Sequence, residues 1–332
     1  NPFSDSAPDT WGRKVLNRAA GRTLDEISLL LGVSDASRQG ATRFWQDGTP
    51  RSDEHGVPAE ADLTDLMRVA DQVERNERDI DSVGLHRLFR ATGSLGGARP
   101  KANVRVGTEL WLAKFPKPNG DDWNKMAWEA AMLDLMNRVG INTPDHMTRQ
   151  FNVDGERRTG LLLMRFDRPY YIVRIPYISA MTALEAVDGD GGDWVDVVDF
   201  ARLNGADTHE LWRRAVFGAA VGNLDDHLRN HGFLRRGNSW QLSPAFDVNP
   251  EPLGDGDDHQ LSLAGETSVT VEVMRQRDSL QLFGVRDADA DGFTNDLRAA
   301  LADAGRLAAA NGADARSVAV MEDRITSAIE AL

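Results

Sequence analysis

Cysteine is absent from all 332 residues, so neither a disulfide framework nor a thiolate metal site can form, and nothing calls for an oxidising compartment. Long apolar runs are missing too. No stretch approaches the roughly 18 uninterrupted apolar residues of a membrane span, and the opening NPFSDSAPDTWGRK lacks the basic-then-apolar order of a secretion signal. These absences lead us to expect a cytoplasmic protein without membrane association. Positive charge is in deficit, with 38 Lys and Arg against 52 Asp and Glu and a formal net charge of −14. That balance repels a phosphate backbone unless basic residues gather on one face, so direct nucleic-acid binding is not expected. The first residue is not Met, and the opening starts mid-flow, which suggests an upstream part outside this chain.

What is present is enough apolar residue, 41%, for one large core or two lobes. Thr10 to Val33 carries helical apolar spacing through Val15, Leu16, Ala19, Leu24, Ile27 and Leu31, and a second helix runs from Asp62 to Glu74. From Gly93 the texture changes. Ala102–Val106 and Glu109–Phe115 are β-like runs joined at Gly107, and Met147–Val153 and Thr159–Phe166 are two more, joined at Asp154-Gly155. Between the hairpins, Asp121 or Asp122 is placed to cap a helix from Trp123 to Val139 that stops at Gly140. After Arg168-Pro169 the pattern is mainly helical, notably His209–Val221, Phe293–Ala310 and Arg316–Leu332. The expected organisation is a mixed lobe over residues 1–163, a hinge over 164–169 and a helical lobe over 170–332. The acidic, Gly-rich runs Asp188–Asp193 and Asp255–Asp258 read as solvated loops.

Chemistry concentrates in Val221–His231, V-G-N-L-D-D-H-L-R-N-H, which places a carboxylate, Asp225, five residues before a carboxamide, Asn230. A kinase catalytic loop has this D-x-x-x-x-N spacing: the aspartate accepts or orients the proton of a hydroxyl, and the amide oxygen is a hard ligand for Mg²⁺. Asp247, in Ala245-Phe246-Asp247-Val248, supplies a second carboxylate for a metal bridging ATP phosphates. By itself the spacing is common, and Asp225 and Asp226 would then be polar residues ending a helix. Upstream stands Gly93-Ser94-Leu95-Gly96-Gly97-Ala98-Arg99-Pro100-Lys101, whose glycines let backbone N–H groups approach phosphate and whose lysine adds charge. A plain hairpin turn is its bland reading. Lys114 lies among apolar residues of a strand, and Glu129 lies on the following helix, where it is placed to pair with that lysine. An edge lysine and a surface glutamate are the alternatives.

The order of these pieces resembles the HipA family of serine/threonine kinases, the toxin components of toxin–antitoxin pairs. Its motifs include S-x-x-G-A-x-P-K, here Ser94–Lys101; I-K-x-P, here Ala113-Lys114-Phe115-Pro116; and R-F-D-R, here Arg165–Arg168. They continue with N-x-D-x-H-x-x-N, here Asn223–Asn230; P-x-Y/F-D, here Pro244–Asp247; and the opening D-S-x-P-D-x-W-G-R, here Asp5–Arg13. The resemblance implies an α+β, two-lobed kinase-like fold using ATP and Mg²⁺. It makes Asp225 the catalytic base, with Asn230 and Asp247 as catalytic magnesium ligands. Gly96, Gly97, Ala98, Arg99 and Lys101 would cover the phosphates, with Lys114 touching them, Glu129 supporting, and backbone groups of Met164, Arg165 and Phe166 holding adenine. His227 would lie by the nucleotide, and Ser94 would be an autophosphorylation site. The implied partners are an antitoxin of HipB type bearing a helix-turn-helix, and a protein substrate related to translation, such as an aminoacyl-tRNA synthetase. The implied outcome is growth arrest or persistence.

Three rivals stand beside this reading. The same fold would serve a small-molecule alcohol, or bind nucleotide without turnover, although Lys114, Asp225, Asn230 and Asp247 are all present. His227 and His231, four apart beside Asp225 and Asp226, suggest a metallohydrolase if they share a helix face. Asp287–Gly292 copies the first half of an EF-hand loop, but the twelfth position is Arg298, so an exposed acidic loop capping the next helix is expected instead.

Overall fold

Backbone contacts divide the chain into two units, residues 1–121 with 145–177 and residues 122–144 with 178–332. The computed structural model describes residues 3–51, 56–94, 97–119, 121–170, 173–187, 189, 191–254 and 258–332.

The first unit is a four-stranded antiparallel sheet faced by helices. Strands β1 (Lys101–Val106), β2 (Glu109–Lys114), β3 (His146–Val153) and β4 (Glu156–Met164) lie in the order β1-β2-β4-β3, two hairpins laid side by side as their turn residues dictate. Helices α1 (Thr10–Ala20), α2 (Glu26–Gly32), α3 (Leu63–Glu74) and α4 (Ser82–Ala91) complete the unit. The single helical stretch expected over 10–33 is two helices, because Gly21 takes a left-handed conformation (φ 66°) and Asp25 starts a new helix by accepting the Ser28 amide. Trp11, Val15, Leu66, Met67, Ala102, Val104, Ala113 and Leu162 share one buried core. Around the R-F-D-R motif is a second, polar interior. Asp167 accepts from Arg165, Arg168 and the Gly40 amide, and Arg165 also binds the Ser37 carbonyl and Asn103.

The second unit is mainly helical: α5 (Lys125–Arg138), α6 (Trp194–Asn204), α7 (Thr208–Val221), α8 (Asp287–Leu301), α9 (Ala304–Ala310) and α10 (Glu322–Ala331), with a hairpin β5 (Gly232–Arg236) and β6 (Ser239–Leu242). Helix α5 departs from the expected lobe boundary, since residues 122–144 cluster with the C-terminal part. Its Trp128, Met132, Leu135 and Met136 belong to the core that also holds Trp212, Phe217, Leu297 and Leu307, so burial of that face assigns it to this unit. Its N-cap is Asn124, which accepts the Ala127 amide, rather than Asp121 or Asp122. Asp121 is taken by Arg99 and the Lys117 amide.

Two other expectations are corrected. Asp287–Gly292 is the first turns of α8 itself, with Asp289 paired to Arg286 and Asp291 to Arg275, so it is neither a calcium loop nor a separate cap. Asp193 is no solvated loop residue: it accepts from the Val195, Ala264 and Gly265 amides and the Ser262 hydroxyl.

Candidate active site

The second unit supplies a loop built for chemistry. Helix α7 buries Leu211, Ala215, Phe217 and Val221 and ends at Gly222 (φ 66°). A Cβ at Gly222 would stand 2.7 Å from the Arg324 guanidinium, so both the turn and the close approach require glycine. From there the chain runs without helix through Asn223–His231. Asn230 donates its amide N–H to the Asp225 carbonyl (3.2 Å), and its backbone N–H to the His227 carbonyl (2.8 Å). With Nδ2 used inward, Oδ1 is the ligand Asn230 can offer.

Asp247 adopts a left-handed backbone (φ 60°), uncommon for a residue with a side chain. A relay holds it: the Asn249 side chain donates to Asp247 Oδ1 (3.1 Å), while the Asn249 backbone N–H donates to Asn223 Oδ1 (3.0 Å). The loop carrying Asp225 and the segment carrying Asp247 are thereby tied by two asparagines. Asp225 is held above the usual carboxylate range, first by partial burial and then by the negative charges of Asp247, Asp226 and Glu251, with His227 opposing. Asp225 keeps access to solvent despite the neighbours crowding its carboxylate, whereas Asp226 is buried and bonded to His231 Nε2 (2.8 Å).

These positions remove the geometric basis for the metallohydrolase. His227 and His231 are on no helix, and His231 is committed to Asp226 and packs edge-on to Trp194 at 4.7 Å. Among the described residues, no three of His, Cys, Asp and Glu form a metal-binding group. The oxygen donors Asn230 and Asp247 suit a hard cation that completes its shell with phosphate and water, as Mg²⁺ does.

The first unit carries the other expected residues except Glu129, which lies on α5 of the second. Gly96 lies outside the described residues, and Ala98 is exposed. Lys101 and Lys114 are buried and face each other across the β1–β2 ladder, an arrangement that like charges disfavour. The conflict is relieved at Lys101, whose ammonium meets Asp9 at 2.7 Å and the Gly97 carbonyl at 3.0 Å. Trp11 adds an indole N–H to the Lys101 carbonyl (2.9 Å). Gly97 (φ 111°) lies so close that a Cβ would sit 3.0 Å from the Lys101 ammonium. Arg99 is held by Asp121 at 2.7 Å.

Ser94 is buried, and its hydroxyl accepts the Gln39 amide at 2.9 Å. The backbone N–H groups of Met164 and Arg165 are engaged by the carbonyls of Asp145 (2.8 Å) and Leu110 (2.9 Å). The Arg165 carbonyl in turn accepts the Arg168 amide (3.1 Å). The Arg165 side chain is an internal strut bound to Asp167 and Asn103. Glu129 is a buried carboxylate on α5.

Sequence reasoning overlooked three residues here. Asp9 is visible in the sequence only as part of the opening motif, Asn249 carries no signal two residues past Asp247, and Asp167, expected in the hinge, is the hub of buried arginines.

This architecture, a small antiparallel sheet unit and a helical unit with an Asp/Asn loop, is the α+β kinase-like class. Residues 93–305 match the HipA-like C-terminal domain, more than half of the sequence, and the chain belongs to that family. Among solved structures it is similar to HipA of Shewanella oneidensis MR-1, solved with HipB and operator DNA, at 15% identity and a TM-score of 0.68 over 99% of this chain and 83% of that one. It is also similar to the proinflammatory kinase CtkA of Helicobacter pylori, at 16% identity and a TM-score of 0.52 over 71% of this chain and 90% of that one. No curated protein sequence matches it. No helix among the described residues is long and apolar enough to cross a membrane.

Proposed function

We propose that the chain is an ATP-dependent serine/threonine protein kinase of HipA type. The observation that carries this reading is the Asn223–Asn249–Asp247 relay, which ties Asp247 to the loop of Asp225 and Asn230. Asp225, exposed and raised in pKa, is suited to accept the proton of an incoming hydroxyl. As that oxygen forms its bond to the γ-phosphorus, the bond to the ADP oxygen breaks and ADP leaves with the electron pair. Mg²⁺ would be held by Asn230 and Asp247, and when bound would offset charge on the phosphates. Lys114 and the amides about Gly97 and Ala98 would receive the phosphates, with Lys101 setting the loop through Gly97. His227 would lie beside the nucleotide, and Glu129 would support Lys114.

The motifs of the family favour a protein hydroxyl as acceptor, in a translation component such as an aminoacyl-tRNA synthetase, with growth arrest as the consequence. The acidic charge of the chain and the presence of HipB and operator DNA with the Shewanella protein support a helix-turn-helix antitoxin as the partner that reads DNA. A cytoplasmic location fits that role. Incubating the protein with γ-labelled ATP, Mg²⁺ and bacterial lysate tests the whole: labelled protein bands are expected. Label found only in small molecules would move the assignment to an alcohol kinase, and no transfer at all would move it to a binding module.

A further inference from the structure

The segment 258–267 forms a brace against the loop of Asp225. It closes on itself through the His259 amide to the Thr267 carbonyl (2.9 Å) and the Leu263 amide to the Glu266 carbonyl (2.9 Å). Asp193 pins it from below through Ser262, Ala264 and Gly265, and Leu261–Ser262 pairs in parallel with Gly192–Asp193. From this fixed base Gln260 reaches the loop twice. Its backbone N–H points at the Leu224 carbonyl (3.3 Å), and its side-chain amide donates to Asp225 Oδ1 at 2.6 Å.

Gln260 and Asp225 are both exposed, and a solvent-facing hydrogen bond contributes on the order of 1 kcal/mol or less to folding. Its larger effect is geometric. An amide donor on Oδ1 biases the rotation of the carboxylate and leaves Oδ2 without that donor. We propose that Gln260 is the positioning residue for Asp225, fixing which carboxylate oxygen meets the acceptor hydroxyl. The inference rests on the kinase reading and adds to it a residue that no motif of the sequence indicated.

The test is single-turnover transfer from γ-labelled Mg-ATP to the chain itself and to dephosphorylated casein. Gln260→Leu removes the donor at similar volume and is expected to slow transfer at saturating ATP about tenfold or more, the scale of a misoriented catalytic group. Its ATP affinity and melting temperature should stay near wild type. Gln260→Lys restores a donor and is expected to recover much of the rate. Combined with Asp225→Asn, Gln260→Leu should add no further loss, since it acts through Asp225. A wild-type rate in Gln260→Leu, or a loss that Gln260→Lys shares and that tracks a lower melting temperature, overturns the assignment. Inactive Asp225→Asn beside fully active Gln260→Leu removes only Gln260, whereas full activity in Asp225→Asn removes the kinase reading with it.

Discussion

The carboxylate of Asp9 receives the ammonium of Lys101 at 2.7 Å, with both side chains almost entirely buried. The same carboxylate accepts the Gly12 amide at 2.6 Å and so begins α1. Two distant motifs, the opening D-S-x-P-D-x-W-G-R and the loop ending at Lys101, are one device. Asp9→Ala deletes the cap and leaves a buried ammonium uncompensated, a loss of about 3–5 kcal/mol for such a pair. Asp9→Asn keeps a good cap and should cost less. Urea unfolding ranks the two against wild type; an Asp9→Asn midpoint equal to that of wild type would show that the ion pair contributes nothing.

Within the loop, the two adjacent aspartates should separate cleanly. Asp225→Asn and Asp247→Asn are expected to lower phosphoryl transfer by at least about a hundredfold, as loss of a positioned catalytic group does, with the fold retained. Asp226→Asn keeps a hydrogen-bonding group toward His231 and is expected to retain most activity while lowering the melting temperature. Initial rates and thermal melts on the three variants decide this, and wild-type turnover in Asp225→Asn would end the kinase assignment.

Asp167 should mark acid stability. Burial pushes its pKa up, but Arg165, Arg168 and the Gly40 amide outweigh that and hold it below the ordinary 3.8. A depressed carboxylate contributes stability that is full above the unfolded value, near 3.8, and is lost as pH falls below it toward the folded value. Asp167→Asn also strands two buried arginines. The variant should therefore melt well below wild type at neutral pH, with the gap narrowing only as pH drops through 3.8. A gap independent of pH between 7 and 3 would contradict this.

Ser94 cannot receive phosphate where it stands, because its hydroxyl is buried against the Gln39 amide. If it is an autophosphorylation site, the loop must leave that position first, and the added charge of about −1.5 to −2 would resist return. One phosphate after incubation with Mg-ATP, absent in Ser94→Ala by intact mass, is the expected result. It should accumulate slowly and lower activity as it forms. A phosphate mapping to another residue would remove Ser94 from the account.

Much of this site was legible because its signals are local. The Asp225-to-Asn230 spacing, the strand of Lys114 and the turns at Gly107 and Gly155 are each set by a few neighbouring residues. Partnerships across the sequence were not legible. Nothing near Lys101 announces Asp9, nothing near Asp225 announces Gln260, and Asn249 gains meaning only when Asn223 is beside it. Helix α5 misled for another reason: its residues are buried on several faces, so periodicity identifies a helix but not which core it joins. The hairpin β5–β6 escaped notice because Arg235 and Arg236 interrupt the strand alternation ahead of its Gly237-Asn238 turn.

The helix bearing Glu129 is fastened at both ends to the C-terminal part of its own unit. Its cap residue Asn124 binds Ser317 and the Gly312 carbonyl, Trp128 donates to the Ser317 carbonyl, Asp134 accepts from Asn311, and Arg138 pairs with Asp303. A helix so fastened makes a poor lever. Swinging α5 would require breaking these bonds and unpacking Trp128, Met132 and Leu135 together. The last thirty or so residues therefore act as the fixed mount on which the carboxylate of Glu129 is carried.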